Sequence, residues 1–385
     1  MDRGCMIRKS GKPELQNLRK VMAMEYWPRT LKKPRMLKRG DRVAIVTPSW
    51  GGPACFPKRF EAGRKHLEEA FELEVTVMPH ACKPAAWLDR NPQARAEDVM
   101  QAFADPSVSA VIASIGGDDS IRLLPHLDLD IIARNPKVFL GYSDATVLHF
   151  ACLKAGVTSF YGPTVMAGFA ENGGMHALSK EAIRRVLFSV ETPGRLPENT
   201  EGWTDERLDW SVPENQARKR RLHPPVASRT WQGAGKARGQ LIGGCAEVLE
   251  MLKGTDLWPP LDYWEDAILF YETSEEAPTP STVARWLRNF GAQGILDRIR
   301  GLIVGRPGGG VPAQRHDEYG AAIAKVLAEF GATHLPLITR LDFGHTDPMF
   351  VLPYGVNAEL NCDAGTVSLL EPAVSNLAEN PDEWR

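Results

Sequence analysis

The run Ala110-Val111-Ile112-Ala113-Ser114-Ile115 reads as a buried strand and feeds directly into Gly116-Gly117-Asp118-Asp119-Ser120. Paired glycines after a strand permit positive φ and let a substrate approach the backbone. The helix expected through Ile121, Arg122, Leu123 and Leu124 opens at Ser120, and a helix start leaves backbone N–H groups aimed outward. A serine hydroxyl there stands beside ready-made oxyanion donors, each worth ~3 kcal/mol of barrier when aimed at developing charge. That is the logic of a nucleophile elbow, although the letters are not G-x-S-x-G. Two other readings of the same residues stand beside it. Ser120 can be only the N-cap of its helix, and Gly116 to Asp119 can cradle phosphate as in nucleotide kinases with a Gly-Gly-Asp-Gly loop.

A serine nucleophile needs a base, and a histidine base needs an acceptor that orients it. Among nine histidines, His345 differs because it lies in Asp342-Phe343-Gly344-His345-Thr346-Asp347-Pro348, a Gly-flanked loop just before a strand. An imidazole can project into a cleft from such a loop, or bond its own backbone. The acceptor candidate is Glu272, which ends the hydrophobic strand Ile268-Leu269-Phe270-Tyr271 and is followed by Thr273-Ser274-Glu275-Glu276. A carboxylate at the end of a buried strand must find a partner, since an unpaired buried charge is costly. A histidine, an arginine or a helix N-terminus would each satisfy it.

Five motifs in order, Gly116 to Ser120, Gly141-Tyr142-Ser143-Asp144-Ala145-Thr146, Gly243-Gly244, Phe270 to Glu275 and Gly344-His345-Thr346, resemble the LD-carboxypeptidase family of serine peptidases, and within it the microcin C immunity branch. The resemblance runs from Leu37 to about Leu370. It implies Ser120 as nucleophile, His345 as general base and then acid, and Glu272 as the residue that orients and stabilises the imidazolium. It further implies an α/β chain in two domains. An N-terminal parallel sheet flanked by helices, a flavodoxin-like layer, is followed by a C-terminal mixed α/β domain with the active site between. A homodimer is common in the family, and neither metal nor organic cofactor is implied. Oxyanion and substrate contacts are expected from Gly117, Asp119, Ile121, Ser143 and Asp144, the last with helix N-capping as its plainer role. Cys245 stands where many relatives carry asparagine, and a small core residue opening a helix is its expected role.

The substrate splits the enzymatic reading in two. Murein LD-carboxypeptidases remove a terminal D-amino acid from a tetrapeptide, whereas microcin-type enzymes cleave the amide joining an aminoacyl or peptidyl group to a nucleotide. Trp203 and Trp210, in Trp203-Thr204-Asp205-Glu206-Arg207-Leu208-Asp209-Trp210, can stack on a purine at ~1 to 3 kcal/mol per base, or pack against the domain surface. With the wording around Glu272 to Glu275, they favour the nucleotide-linked substrate. A kinase using the Gly116 to Asp119 loop, or a module that sequesters ligand without turnover, are the competing classes.

The elements that must position these residues alternate as in a parallel sheet covered by helices. Strands are expected at Val43 to Thr47, Leu73 to Val77, Val108 to Ser114 and Val138 to Gly141, with helices at Lys58 to Phe71, Ala94 to Ala104 and Asp144 to Ala155. From 191 to 238 periodicity fades into a Pro-, Arg- and Trp-rich stretch with the basic run Arg218 to Arg221, expected to be an inter-domain and specificity loop. Beyond 239 a helix to Lys253, a strand at Ala267 to Glu272, a helix at Pro280 to Phe290 and a strand at Gly301 to Val304 follow. Short β-branched runs at Phe350 to Leu352 and Val367 to Leu370 close the chain. The expected domains are thus a basic flexible extension over 1–36, a nucleophile domain over 37–190, the loop over 191–238, and a domain carrying Glu272 and His345 over 239–385.

Composition bounds the rest. The chain has 385 residues, 43% hydrophobic and 24% charged, and a formal charge of −2. That length argues for two domains, and the near-neutral charge gives no field to hold a nucleic-acid polymer. No apolar run reaches the ~18 residues of a membrane span. Six scattered cysteines without C-x-x-C or zinc spacing point to buried free thiols in a reducing, cytoplasmic compartment. The first forty residues hold twelve Lys or Arg against Asp2, Glu14 and Glu25, without the apolar core of a signal peptide.

Overall fold

The β-branched run near the start becomes β1 (Arg42–Val46), and β2 (Glu74–Val77), β3 (Val108–Ala113), β4 (Val138–Gly141) and β5 (Phe160–Tyr161) follow it in chain order. The computed structural model describes residues 27–376. Proline sets the start of two of the covering helices, Pro57–Phe71 and Pro92–Ala104, because its fixed φ suits the first helical position and its missing N–H would have had no partner there. Phe60, Leu67 and Phe71 form the buried stripe of the first of these. The expected helix at Asp144 divides into a short 3-10 turn, Ser143–Ala145, and the α-helix Thr146–Lys154, which is buried throughout save for its last residue. The expected helix at Ser120 is a 3-10 helix, Ser120–His126, with Pro125 inside it; proline cannot supply the N–H that an α-helix would need there.

The second half of the chain adds β6 (Gly194–Arg195), β7 (Arg229–Gln232), β8 (Lys236–Cys245), β9 (Ala267–Glu272), β10 (Gly301–Gly305), β11 (Leu337–Leu341), β12 (Leu352–Pro353), β13 (Asn357–Asn361) and β14 (Thr366–Leu369). The first sheet has the order β12-β5-β4-β3-β1-β2 and the second β6-β14-β13-β8-β9-β10-β11-β7. Strands β8 to β11 run parallel, and antiparallel strands close both edges. β8 was hidden in the sequence by its glycines. A Cβ at Gly243 would lie 1.7 Å from the Phe270 carbonyl oxygen, so the close approach of β8 to β9 forbids any side chain there. The helices Ala246–Leu252 and Pro280–Ala292 cover this sheet, and His316–Glu329 lies beside the latter.

Three expectations change. β12 belongs to the C-terminal part of the chain yet pairs antiparallel with β5 in the first sheet. The stretch 191–238 contributes β6 and β7 to the second sheet, and is pinned by bridges between Trp203 and His223 and between Thr204 and Asp347. The basic extension does not reach 36: residues 1–26 lie outside the described residues, whereas Trp27 is buried against Tyr263 with ring centroids 5.2 Å apart, and Lys32 bridges Val157, its N–H donating to the Gly156 carbonyl and its carbonyl accepting from the Thr158 N–H. Cys5 also lies outside the described residues. Of the five free thiols described, Cys152, Cys245 and Cys362 are buried, but Cys55 and Cys82 are exposed rather than buried as expected. No helix among the described residues is long and apolar enough to cross a membrane.

Candidate active site

β4 ends at Gly141, Tyr142 is extended, and Ser143 then takes φ 62° at the head of the 3-10 turn. A serine in the left-handed region is uncommon and costs of order 1–3 kcal/mol, which surrounding structure must hold in place. His149 does part of this. Its Nε2 donates to the Gly141 carbonyl and its Nδ1 accepts from Ser159, both at 2.9 Å, and burial drives its pKa down to about 3, so it is a neutral strut. The Ser143 N–H donates to the Tyr161 hydroxyl at 3.1 Å, and Thr146 Oγ1 donates to the Ser143 carbonyl at 2.7 Å. Strand, strained serine and helix in succession make the nucleophile-elbow arrangement, at Ser143 rather than at Ser120.

Ser120 is fully buried and donates its hydroxyl to the Asp144 carbonyl at 2.7 Å. It does not line the cleft, and its hydroxyl is held against the backbone of the elbow. The Asp144 carboxylate, expected as a substrate contact or the cap of its own helix, instead accepts the N–H groups of Asp119 (3.1 Å) and Ser120 (2.7 Å). These bonds lace the 116–120 loop to the elbow. Asp119 is likewise structural: it takes Arg95 in a two-point pair at 2.7 and 2.8 Å, with Arg122 and Ser49 nearby. Burial would raise its pKa, but the Arg95 pair outweighs this and lowers it. With its carboxylate locked on Arg95 from the helix Pro92–Ala104, and its Asp119 and Ser120 N–H groups given to Asp144, this segment gives a phosphate no cradle. Ile121 packs against the core and stays out of the cleft. Gly117 does line it, as does Gly116, where a Cβ would stand 2.8 Å from Ser143 Cβ and 2.9 Å from Ser143 Oγ. Only glycine lets that backbone lie against the elbow hydroxyl.

Glu272 ends β9 fully buried, and its Oε2 accepts from His345 Nδ1 at 2.8 Å while Oε1 accepts from the Tyr161 hydroxyl. A Cβ at Gly344 would lie 2.5 Å from Glu272 Oε2, and φ is +93° there, so glycine is required for the loop to fold over this carboxylate. Tyr142 places its ring edge-on to His345, with centroids 5.0 Å apart, which sets the base beside the elbow. The other imidazole nitrogen, Nε2, faces Glu275 Oε2 at 3.0 Å. Burial acts to lower the His345 pKa, but the two carboxylates outweigh it and push it up to about 10, while the His345 contact brings Glu275 down to about 2. Held between these two carboxylates, the imidazole is charged at neutral pH. Glu275 is the participant that sequence reasoning named only as part of a motif; the signal was the acid three residues beyond Glu272.

Ser143, Gly116, Gly117, His345 and Glu275 open on one cleft of about 810 Å³. Trp210 lines it, with the Arg59 guanidinium 4.7 Å above its ring and Phe56 edge-on at 5.7 Å; Trp50 adjoins Phe56 at 6.0 Å. Trp203 does not line it: it is buried between His223, stacked at 4.3 Å, and Arg306. Arg220, from the basic run, is buried in ion pairs with Glu171 and Asp347 and so ties the connecting stretch to both halves of the chain. Cys245 offers its thiol within 4.8 Å of Glu272 and His345 donor atoms. The 2.8 Å hydrogen bond between those two leaves no room for an ion between them, and burial and the neighbouring acids raise the Cys245 pKa, which disfavours a thiolate ligand.

Known proteins share this fold. Over 345 residues the chain is 29% identical to the microcin C7 self-immunity protein MccF of Escherichia coli, covering 87% of this chain and 95% of that one. It superposes with a TM-score of 0.77 on an MccF-like protein from Streptococcus pneumoniae in complex with AMP, at 29% identity over 86% and 98% of the two chains. The MccF complex with aspartyl sulfamoyl adenosine gives 0.78 at 25% identity over 89% and 100%. The LD-carboxypeptidase N-terminal domain matches residues 43–162, the elbow and its laced loop, and the LD-carboxypeptidase C-terminal domain matches 238–360, the source of Glu272 and His345. With both halves of the cleft matched, the chain belongs to the LD-carboxypeptidase family of peptidases.

Proposed function

We propose that this protein is a serine hydrolase that cleaves the acyl–nitrogen bond joining an aminoacyl or peptidyl group to a nucleotide, with Ser143 as nucleophile, His345 as base and Glu272 as the group that orients it. The observation that carries the reading is Ser143 itself, strained at φ 62° on the elbow and opening on the cleft that holds the His345–Glu272 pair. Once Glu275 has left His345 Nε2 and the imidazolium has released its Nε2 proton to solvent, Ser143 Oγ attacks the carbonyl carbon and its proton passes to the neutral nitrogen. The oxyanion meets the N–H of Asp144, the residue after the nucleophile, and that of Gly117 from the opposing loop. The intermediate collapses with loss of the nitrogen leaving group, which takes the proton from His345. Water, deprotonated by the same imidazole, then releases the acyl group and regenerates Ser143.

Trp210 and Arg59 support a nucleotide over a muropeptide, since a half-buried indole under a guanidinium offers a stacking face for a purine. The structures of relatives with AMP and with aspartyl sulfamoyl adenosine agree with this. The test incubates the purified chain with an aminoacyl sulfamoyl adenosine and, separately, with a murein tetrapeptide, and reads products by mass spectrometry. Release of sulfamoyl adenosine that is abolished in Ser143→Ala is expected. Trimming of the tetrapeptide alone would overturn the nucleotide, and full activity of Ser143→Ala would overturn the serine mechanism.

A further inference from the structure

The two sides of the cleft differ in chemistry. One is aromatic, built from Trp50, Phe56 and Trp210 with Arg59. The other comes from the C-terminal half: Val248 and Met251 on helix Ala246–Leu252, Trp286 on helix Pro280–Ala292, and the carboxylates of Glu275 and Glu276. The two helices are neighbours, since Lys253 Nζ donates to the Trp286 carbonyl at 3.4 Å. Lys253 itself is paired with Glu250 and does not line the cleft.

Neither acid on this side has an ion pair with a lysine or arginine among the described residues. Among the described residues Glu276 makes no ion pair, and Glu275, with its side chain 52% exposed, pairs only with His345. Of the cations that line the cleft, Arg220 is consumed by Glu171 and Asp347, and Arg59 is held by Asn172, Gln216 and the Met166 carbonyl. Arg207 is exposed and forms no ion pair with either acid, although its charge reaches Glu275 through solvent and helps to keep that carboxyl ionised. An apolar wall ending in two carboxylates complements a methylene stem ending in a positive charge, and repels an acidic side chain.

We infer that this wall is the acyl subsite and that it selects substrates whose acyl residue is cationic, a lysyl or arginyl group, with Glu275 exchanging His345 for the substrate cation on binding. The inference rests on the acyl–nucleotide hydrolase reading and adds two consequences. The correct side chain is recognised by charge, and its arrival draws Glu275 from His345 Nε2, the nitrogen that must accept the Ser143 proton. An acyl group without a cation leaves the base capped.

The experiment measures sulfamoyl adenosine release from lysyl, norleucyl and glutamyl sulfamoyl adenosine. Norleucine keeps the stem without the charge. The wild-type protein is expected to favour lysyl over glutamyl by about a hundredfold or more in kcat/KM, with norleucyl between them. Glu276→Lys is expected to collapse or invert that order, and Glu275→Gln to speed norleucyl turnover while slowing lysyl. Glutamyl turnover equal to or faster than lysyl, or an order unchanged in both variants, would overturn the inference while Ser143-dependent hydrolysis kept the parent reading intact. Hydrolysis that survives in Ser143→Ala, or no hydrolysis of any of the three compounds by the wild type, would overturn the parent reading and the inference with it.

Discussion

Two carboxylates hold the two nitrogens of one imidazole, and only one of these contacts is compatible with catalysis. Glu272 on Nδ1 fixes the ring, whereas Glu275 on Nε2 occupies the position that the Ser143 proton would have to reach in the proposed mechanism. Burial alone would depress the His345 pKa, but Glu272 and Glu275 raise it to about 10, with Tyr142 and Cys245 as the other titratable groups beside the ring. The pH profile of kcat/KM, which reports the free enzyme, should therefore still rise on the alkaline side of neutral. Glu275→Gln removes one of the two carboxylates, so that limb should move to lower pH by about one unit or more; an unshifted limb contradicts the assignment. Serine assignments separate as cleanly. Ser143→Ala should lower kcat by about 10⁴-fold or more. Ser120→Ala should lose one buried hydrogen bond, about 1 kcal/mol in a denaturant titration, and keep kcat within about threefold of wild type. The reverse pattern would restore Ser120 as nucleophile. Trp210→Ala should raise KM for an adenosine-linked substrate by roughly 5- to 150-fold, the equivalent of ~1 to 3 kcal/mol of stacking, with little change in kcat.

At the scale of elements, the site depends on loops that only glycine can complete. The His345 loop folds over the end of β9 because Gly344 has no Cβ to collide with Glu272. Gly344→Ala should cost about 1–3 kcal/mol from its positive φ alone and should displace Glu272, so kcat falls further than KM rises. A melting curve and a saturation curve on the same preparation check both, and a variant with wild-type kcat would remove Gly344 from this role. The 116–120 loop shows the converse. Its strand, glycines and helix start were all legible in the sequence, yet the structure uses them to build the wall opposite Ser143. Strand–glycine–serine patterns occur at both 110–120 and 138–143, and local pattern could not choose between them. The choice was made by Asp144, whose carboxylate caps the first loop from the second, and by the positive φ of Ser143.

Across the whole molecule, Arg220 joins three regions: its own connecting stretch, Glu171 in the N-terminal half and Asp347 beside His345. Burial would lower its pKa, but the two acids raise it. Arg220→Met leaves both carboxylates without a cation and should cost about 3–5 kcal/mol, seen as a lower urea midpoint; an unchanged midpoint would show that the clamp carries no stability. The imidazolium adds a pH dependence. Because the folded pKa of His345 lies above its unfolded value of 6.5, its contribution is full below that pH and is lost as pH rises through about 10. Glu275, depressed from 4.5 to about 2, contributes above 4.5 and loses that contribution as pH falls through about 2. Melting temperature should therefore decline between pH 7 and about 10, and decline less in Glu275→Gln.

The amino-acid sequence by itself determined the alternation of strands and helices and the family, because these are written in local periodicity and in motif order, and through the family resemblance it pointed to His345 among the partners a buried Glu272 could take. Tertiary structure alone decided which serine is strained and open to the cleft, that Trp210 and not Trp203 lines it, that β12 crosses to the first sheet, and that Glu275 meets the second nitrogen of His345. These are consequences of contacts between residues as far apart in the chain as Tyr161 and Glu272, or Arg220 and Asp347. No local propensity records such contacts, since the free energy that selects them appears only when both partners are brought together out of water.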